Sequence, residues 1–249
     1  MRFLAQPGKG MTVLTIEKPD EQGVEFTDIR ARLPKSAIAA TLSGVTTLGI
    51  QSARQCLHDA GHEVIAFPSN GTGGRTMEQG IAEGHFSGVL DLTTVELADE
   101  LLGGRFGAGP DRLTAAAIRG LPQVISVGGL DRVHIMSNVI PAGRRIQEHD
   151  STTTLMRTTP EENDRLGLEI AQKACAAKGP TAILLPLRGV SALDCEGGPF
   201  WWPDANEALF QSLRNWVAGV ELIELDLHID DPAFARIAAK TLLRLIARR

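Results

Sequence analysis

From Lys35 onward, short apolar segments alternate with longer segments of helical pattern, and this alternation restricts the chain to few folds. The apolar segments lie at residues 37–42, 63–67, 88–92, 123–127, 181–187 and 220–225. Strands that alternate with helices are typical of a parallel sheet with covering helices, so residues 35–249 predict an α/β fold with a mostly parallel sheet of about six strands and helices on both faces. We also expect an extended segment at 152–157. Residues 1–34 differ in pattern, and there we expect a lead segment or the remnant of a preceding domain.

Composition and charge narrow the class of protein. A hydrophobic content of 43% and a charged content of 22% are ordinary for a globular protein. The net charge of −5 gives no reason to expect nucleic acid or an anionic membrane as a partner. The sequence has no apolar run of about 18 residues, as a membrane span requires, and its start lacks the apolar core of a signal peptide. We therefore expect a cytoplasmic protein with neither nucleic-acid nor membrane partners.

A glycine-rich loop follows the second predicted strand. Between Gly71 and Arg75 the chain holds three glycines, a hydroxyl group and a guanidinium group. Glycine lets backbone N–H groups turn toward one point, a helix start adds oriented donors, and arginine suits carboxylate or phosphate. The loop thus predicts an anion site for a phosphate group; the alternative is a turn with a solvated arginine. It is neither a dinucleotide fingerprint, since Thr76 stands in place of the third glycine, nor a P-loop, since Gly-Lys-Ser/Thr does not occur.

Polar residues collect directly after the predicted strands. In a parallel sheet these positions share one rim, where α/β folds bind ligands at a topological switch point. Hydroxyl groups, glycine amides and arginines at this rim suit a small anionic ligand. The candidate ligand-binding residues are Thr46, Thr47, Asn70, Gly71, Thr72, Gly73, Gly74, Arg75, Thr93, Thr94, Gly128, Gly129, Arg188, Gly189 and Ser191. Carboxylates on the same rim could hold Mg²⁺, which prefers oxygen ligands.

Three residues near this rim are candidate catalytic groups, namely Asp91, Asp194 and His228. Asp91 lies in a strand of buried type, where an unpaired carboxylate is costly. Asp91 or Asp194 would act as an acid–base group or a metal ligand, with Arg188 holding the anion of a substrate. For Arg188 the alternative is a structural ion pair.

Other polar residues have structural interpretations. Residues 93–96 match a capping box for a helix that begins at Val95. Residues 159–162 match a second helix start, with a hydroxyl at the N-cap followed by Pro and Glu. Asp231 matches the N-cap of the last helix. Ser191 lies in Gly-Val-Ser-Ala-Leu, which lacks the final glycine of a nucleophile elbow. We therefore interpret Ser191 as a loop or ligand hydroxyl.

The same stretches resemble a known protein family. The matching segments are 44–47, 71–75, 77–78, 88–94, 96–100, 108–112, 155–162, 185–194, 197–200, 228 and 231–234. In this order they resemble an uncharacterised bacterial and fungal protein family. That family is related to the inhibitor domain of the tomato mosaic virus resistance protein and is described as ATP-binding domain-like. The resemblance extends over residues 35–249 and matches the C-terminal half of typical members.

The resemblance implies a Rossmann-like α/β fold, a homodimer and binding of ATP with Mg²⁺, but it supplies no reaction. Typical members carry another α/β domain first, so a separate first-half domain is an expected partner. Three functions are open: a nucleotide-binding domain that holds phosphate at 71–75, an enzyme acting on a small phosphorylated or carboxylated metabolite, and a protein-interaction module. The interaction module would use a surface around Trp201 and Trp202.

Overall fold

The computed structural model describes residues 11–13, 37–42, 47–136 and 140–248. The strands are β1 (Met11–Val13), β2 (Ile38–Leu42), β3 (Val64–Pro68), β4 (Gly88–Thr93), β5 (Gln123–Gly128), β6 (Arg132–Met136), β7 (Ile146–Glu148), β8 (Thr153–Arg157), β9 (Thr181–Pro186) and β10 (Glu221–Leu225). The helices are α1 (Thr47–Asp59), α2 (Thr72–Ala82), α3 (Val95–Leu102), α4 (Ala115–Arg119), α5 (Pro160–Cys175), α6 (Pro203–Trp216) and α7 (Pro232–Ile246). Within these ranges, no helix is long and apolar enough to cross a membrane.

Seven parallel strands form the main sheet, in the order β1-β3-β2-β4-β5-β9-β10. This confirms the predicted α/β fold with a parallel sheet, to which β1 adds an edge strand beside β3, with Met11 opposite Val64. The chain passes from β2 outward to β3 and then returns across β2 to β4. The strand order therefore reverses at β2, and the carboxyl ends of β2 and β4 form the topological switch point.

Helices cover both faces of this sheet, because alternate strand residues point to opposite sides. Ile38 and Ala40 belong to an apolar cluster with α1 and α7, whereas Ala37 and Ala39 pack with α2 and α4 on the other face. On that second face α3, α5 and α6 cover β5 and β9, with Ile125 in their cluster. Burial on both faces explains why the strands are nearly continuous apolar runs in the sequence.

A second, antiparallel sheet is built from the residues between β5 and α5. Its order is β6-β8-β7, with Arg132 opposite Arg157 and Ile146 opposite Met156. The extended segment predicted at 152–157 is confirmed as β8. The sequence predicts no element for β6 or β7, which are short and take their position from β8 and from α3, against which β6 packs.

Local capping patterns determine two helix starts but not a third. The N–H of Glu162 donates to Thr159 Oγ1 and the N–H of Thr159 donates to Glu162 Oε2, which is the capping box of α5. Asp231 caps α7 by accepting an N–H of its first turn. The capping box predicted at Thr93 and Glu96 is wrong, because the N-cap is Thr94, whose hydroxyl donates to the carbonyl of Ser126, and Glu96 accepts from Gly71 and Gly74 instead.

Candidate functional site

Polar residues that follow the strands lie together at one rim of the main sheet. The N–H of Thr93 donates to Thr41 Oγ1 at 3.0 Å, which links β4 to β2 across the switch point. The N–H of Thr94 donates to the carbonyl of Gly128 at 3.0 Å, and the N–H of Gly129 donates to a carbonyl after β9 at 2.8 Å. The exits of β2, β4, β5 and β9 are therefore in direct contact, as the parallel topology requires.

An acidic side chain of the protein occupies donors of the glycine-rich loop. The N–H groups of Gly71 and Gly74 donate to Glu96 Oε1 at 2.6 Å and 3.1 Å. The N–H of Gly73 donates to Asn70 Oδ1 at 2.9 Å. A helix N-terminus favours negative charge, and Glu96 brings that charge from the first turn of α3 to the first turn of α2. In this structure the loop therefore binds an anion that belongs to the chain itself.

Close packing explains two glycines of the loop. A Cβ atom on Gly73 would lie 1.9 Å from the carbonyl oxygen of Pro68, and a Cβ on Gly74 would lie 2.2 Å from Glu96 Oε2. Gly71 has φ +81°, a conformation that glycine adopts without strain. The three glycines thus allow the loop to approach both its own strand and the Glu96 carboxylate.

Arg112 joins the Glu96 carboxylate to two others. Its Nε donates to Glu96 Oε2 at 2.7 Å, its Nη1 to Glu78 Oε1 at 3.2 Å, and its Nη2 to Asp91 Oδ1 at 2.9 Å. Burial lowers the pKa of Arg112, but the charges of Asp91 and Glu96 outweigh this effect and raise the pKa well above its usual value. Burial raises the pKa of Glu78, and Arg112 opposes that shift. Through these hydrogen bonds Arg112, in the segment before α4, connects α2, β4 and α3 to one another.

The candidate catalytic residue Asp91 is engaged inside the same network. Its Oδ1 accepts the hydroxyl of Thr41 at 2.9 Å, and both carboxylate oxygens accept from Arg112. The residue is 1% exposed. These partners compensate the cost of burying its charge. In this structure Asp91 connects Thr41 of β2 to Arg112 at the switch point. A catalytic role for Asp91 stays a prediction.

Arg75 is the loop residue most open to solvent. Its side chain is exposed, with Nη1 donating to the carbonyl of Gly107 at 2.8 Å and Nη2 lying 3.4 Å from Thr72 Oγ1. A guanidinium group has five N–H donors, so further donors are available to a ligand. Arg75 and the half-buried Thr72 thus present a positive, hydrogen-bonding surface above the part of the loop that Glu96 fills.

Asp194, the second candidate carboxylate, lies in another buried network. Its Oδ2 accepts the N–H of Val190 at 3.0 Å and Nδ2 of Asn206 at 2.7 Å, while its Oδ1 lies 3.5 Å from Arg157. Arg157 is also fully buried, and it donates to the carbonyl of Phe200 at 2.8 Å. Burial raises the pKa of Asp194, and Arg157 opposes this shift. The network holds the loop after β9 against α6.

His228 meets Ser191 and Asp230 at the exit of β9. Its Nε2 donates to the carbonyl of Ser191 at 3.0 Å, and its Nδ1 accepts the N–H of Asp230 at 3.1 Å. Ser191 Oγ donates to Asp131 Oδ2 at 2.7 Å rather than to the imidazole, so these residues do not form a nucleophilic triad. Among the described residues, Asp230 Oδ1 is buried without a hydrogen-bond partner. Burial raises the pKa of Asp230.

The remaining candidates are Arg188, Gly189, Thr46 and Thr47. Arg188 is exposed and donates to both carboxylate oxygens of Asp226 at 2.7 Å, which favours the structural ion pair. Gly189, at φ +131°, leaves room for the neighbouring imidazole. Thr46 lies outside the described residues, and of Thr47 only the backbone, at the start of α1, is described.

The tryptophan pair packs within its own loop. The guanidinium of Arg145 lies over the ring of Trp202, 4.3 Å from its centroid, and donates to the carbonyl of Trp201 at 3.1 Å. Both tryptophans are half-buried. These contacts agree with a role in loop packing.

Glu96, Arg112 and Arg157 organise the rim, and none of them is among the site residues that the sequence predicts. Glu96 matches a capping box in the sequence, and its segment carries two further acidic residues, Asp99 and Glu100, so no local signal distinguishes it. Arg157 ends the extended run of β8 directly after Leu155 and Met156. A charged residue beside such apolar neighbours needs a buried partner, and this is the signal that could have identified it.

Comparisons with known proteins assign most of the chain to one protein family. A family model described as "Uncharacterised protein family (UPF0261) C-terminal domain" matches residues 35–246. A UPF0261 protein of Clostridium tetani is 42% identical over 220 residues, covering 86% of this chain and 54% of the relative. A UPF0261 protein of Rhizobium meliloti is 44% identical over 211 residues, covering 82% of this chain and 53% of the relative.

A plant protein is also similar. The ToMV resistance protein Tm-1(GCR237) of Solanum lycopersicum is 35% identical over 218 residues, covering 85% of this chain and 29% of that protein. The chain spans about half the length of the bacterial relatives it matches. Both the family match and the relatives place residues 35–246 in the C-terminal domain of the family, so this chain belongs to the UPF0261 family.

Proposed function

We propose that this domain binds a small anionic ligand, with a phosphate or carboxylate group, at the topological switch point of its sheet. The observation that carries the proposal is the exposed guanidinium of Arg75 in the first turn of α2, a turn that follows β3 and is bonded to Glu96 after β4. Arginine donors in a fixed fork suit these anions, and α/β sheets bind ligands at this position. Because Glu96 holds the N–H groups of Gly71 and Gly74, the ligand would contact Arg75 and Thr72 instead.

Within this proposal, ATP with Mg²⁺ is one candidate ligand. No group of three or more metal-binding side chains occurs in the ranges that the structure describes. Asp230 is the described rim carboxylate with a buried oxygen free of hydrogen bonds, but it follows β10, five positions from β3 in the sheet order, so Mg²⁺ bound with ATP at Arg75 would take its ligands from the phosphates and water.

Isothermal titration calorimetry tests the proposal. Inorganic phosphate and ATP with Mg²⁺ would be titrated separately into the wild type, Arg75→Ala and the control Arg236→Ala, which removes an exposed arginine from α7. We expect binding of at least one of these ligands, weakened about tenfold or more by Arg75→Ala and unchanged by the control, since a charge-assisted hydrogen bond contributes about 1.5–3 kcal/mol. Equal affinity in all three proteins, or no binding to the folded wild type, would contradict the proposal.

A second candidate function is acid–base catalysis on a small phosphorylated or carboxylated metabolite. The observation that favours it is the free oxygen of Asp230, whose other oxygen lies 3.8 Å from His228 Nδ1. A carboxyl group with a raised pKa beside an imidazole suits proton transfer. Turnover found in a metabolite screen should be lost in Asp230→Asn with the fold retained, and activity that survives this change would remove Asp230 from the mechanism.

Two further proposals concern partners, and the greater length of the relatives supports the first of them only. A second domain would complete the assembly, and two copies of the chain would form a homodimer. Light scattering coupled to size-exclusion chromatography tests the homodimer, because a mass near the 26.7 kDa of one chain would exclude it under those conditions.

A further inference from the structure

His134 is oriented by a buried carboxylate outside the glycine-rich loop. Asp99, in α3, is fully buried. Its Oδ1 accepts the backbone N–H of His134 at 2.8 Å, and its Oδ2 accepts the imidazole Nδ1–H at 2.8 Å. With Nδ1 donating to a carboxylate, the second ring nitrogen, Nε2, carries the free lone pair in the neutral imidazole. The carboxylate therefore fixes both the tautomer and the direction of the ring.

Neighbouring residues pack closely around the contact between Asp99 and His134. A Cβ atom on Gly104 would lie 1.9 Å from Asp99 Oδ1, so only glycine allows the loop after α3 to pass the carboxylate. The ring of Phe106 packs on the imidazole with centroids 4.9 Å apart. No hydrogen bond to His134 Nε2 occurs among the described residues, and this atom is not one of the buried unpaired atoms, so part of its surface reaches solvent although the side chain as a whole is only 10% exposed.

A second imidazole lies beside the first. The ring centroids of His134 and His149 are 6.0 Å apart, with an angle of 75° between the planes. In the small sheet His134 is opposite Leu155, which is opposite Gln147 of β7. His149 lies two residues after Gln147, just beyond the end of β7, and alternation along the strand keeps it on the same side as His134. His149 itself is exposed.

We propose that His134 and His149 form a binding site for a divalent transition-metal ion, with water completing the coordination. Imidazole suits Cu²⁺, Zn²⁺ and Ni²⁺, and a ligating histidine usually donates its other N–H to a carboxylate, as His134 does to Asp99. With metal–nitrogen distances of about 2.0–2.1 Å, two imidazoles that share an ion have centroids roughly 5–6 Å apart. The observed separation is close to this range, and the exposed side chain of His149 can adjust. The site is independent of the anion site proposed at Arg75.

Titration with the metal alone tests this proposal. Cu²⁺ would be titrated into the full chain without an affinity tag, using calorimetry and the copper electron paramagnetic resonance spectrum. The variants are His149→Ala, His134→Ala, Asp99→Asn and the control His58→Ala, whose side chain is 60% exposed on α1. We expect one ion per chain with nitrogen ligands, an unchanged site in His58→Ala, and an affinity about 10- to 100-fold lower in Asp99→Asn.

Substitutions at the buried Asp99 or His134 could unfold the chain, whereas His149→Ala changes an exposed side chain and tests the metal site in the folded protein. This surface variant should remove one nitrogen from the spectrum and weaken binding about tenfold or more. A wild type that binds no Cu²⁺, binding that His149→Ala leaves unchanged, or an equal loss in His58→Ala would overturn the assignment.

Discussion

Glu96 Oε1 lies 2.6 Å from the backbone nitrogen of Gly71, across the topological switch point of the sheet. The contact couples the first turn of α3 to the start of α2, and it places a carboxylate where a phosphate would otherwise be expected. Glu96 is fully buried and also accepts from Arg112. The glycine-rich loop is therefore held in its conformation by the chain itself before any ligand arrives.

Removing this carboxylate should destabilise the fold. Glu96→Ala leaves Arg112 with fewer buried partners and two N–H groups without an acceptor, so we expect the free energy of unfolding to fall by about 3–5 kcal/mol. The control Glu196→Ala removes an exposed carboxylate and should change stability by less than about 0.5 kcal/mol. Urea unfolding followed by circular dichroism measures both, and similar values for the two variants would contradict the role of Glu96.

The glycine at position 74 gives a second, steric test of the same contact. In Gly74→Ala the new Cβ would meet Glu96 Oε2 at 2.2 Å, whereas a Cβ on Gly103 would meet no atom within 4 Å. Gly103→Ala carries only the strain of its positive φ, about 1–2 kcal/mol. We expect Gly74→Ala to lower the melting temperature more than Gly103→Ala, and the reverse order would show that the loop does not close on Glu96.

The burial of Asp230 predicts that the stability of the fold depends on pH. Burial raises its pKa in the folded state above the usual 3.8, so the folded chain binds this proton more readily than the unfolded chain. The cost of burying the ionised group is absent below pH 3.8, grows as the pH rises toward the folded pKa, and is complete above it. Asp230→Asn should therefore stabilise the chain at pH 7, and this gain should shrink as the pH falls to the usual value.

Melting temperatures of the wild type and Asp230→Asn across this range measure the effect. Asp226→Asn is a suitable comparison, because hydrogen bonds from Arg188 lower the pKa of that exposed carboxylate. Its contribution to stability has the opposite sign and is lost as the pH falls below the usual value. A gain from Asp230→Asn that is independent of pH would contradict the predicted cost.

The stability of the fold should depend strongly on the contacts of Arg157 with its buried partners. Arg157→Leu would remove the positive charge beside Asp194 and the donor to Asn206 Oδ1, at a cost of about 3–5 kcal/mol. The control Arg236→Leu removes an exposed arginine and should be nearly neutral. Unfolding in urea distinguishes the two, and a small effect at Arg157 would mean that water can replace its contacts.

The sequence predicts features whose cause is local and misses those whose cause is distant. The helix start at Thr159 follows from four adjacent residues, and the strands follow from apolar runs. The pairing of Glu96 with Gly71 spans 25 positions and depends on how α3 sits beside α2. The same holds for Arg112, whose carboxylate partners come from α2, β4 and α3, and this long-range competition is why Glu96 does not cap its own helix.

Nuclear magnetic resonance during a phosphate titration shows whether phosphate contacts Thr72 and Arg75 while Glu96 keeps its place on the loop. In a ¹⁵N-labelled chain we predict saturable shifts of the backbone amide of Thr72 and of the amide and Nε of Arg75. The amides of Gly71 and Gly74 should keep their positions, because Glu96 continues to hold them. The account would be contradicted if the Thr72 and Arg75 signals did not move, or if those of Gly71 and Gly74 moved with the largest shifts, since phosphate would then be absent or would have displaced Glu96.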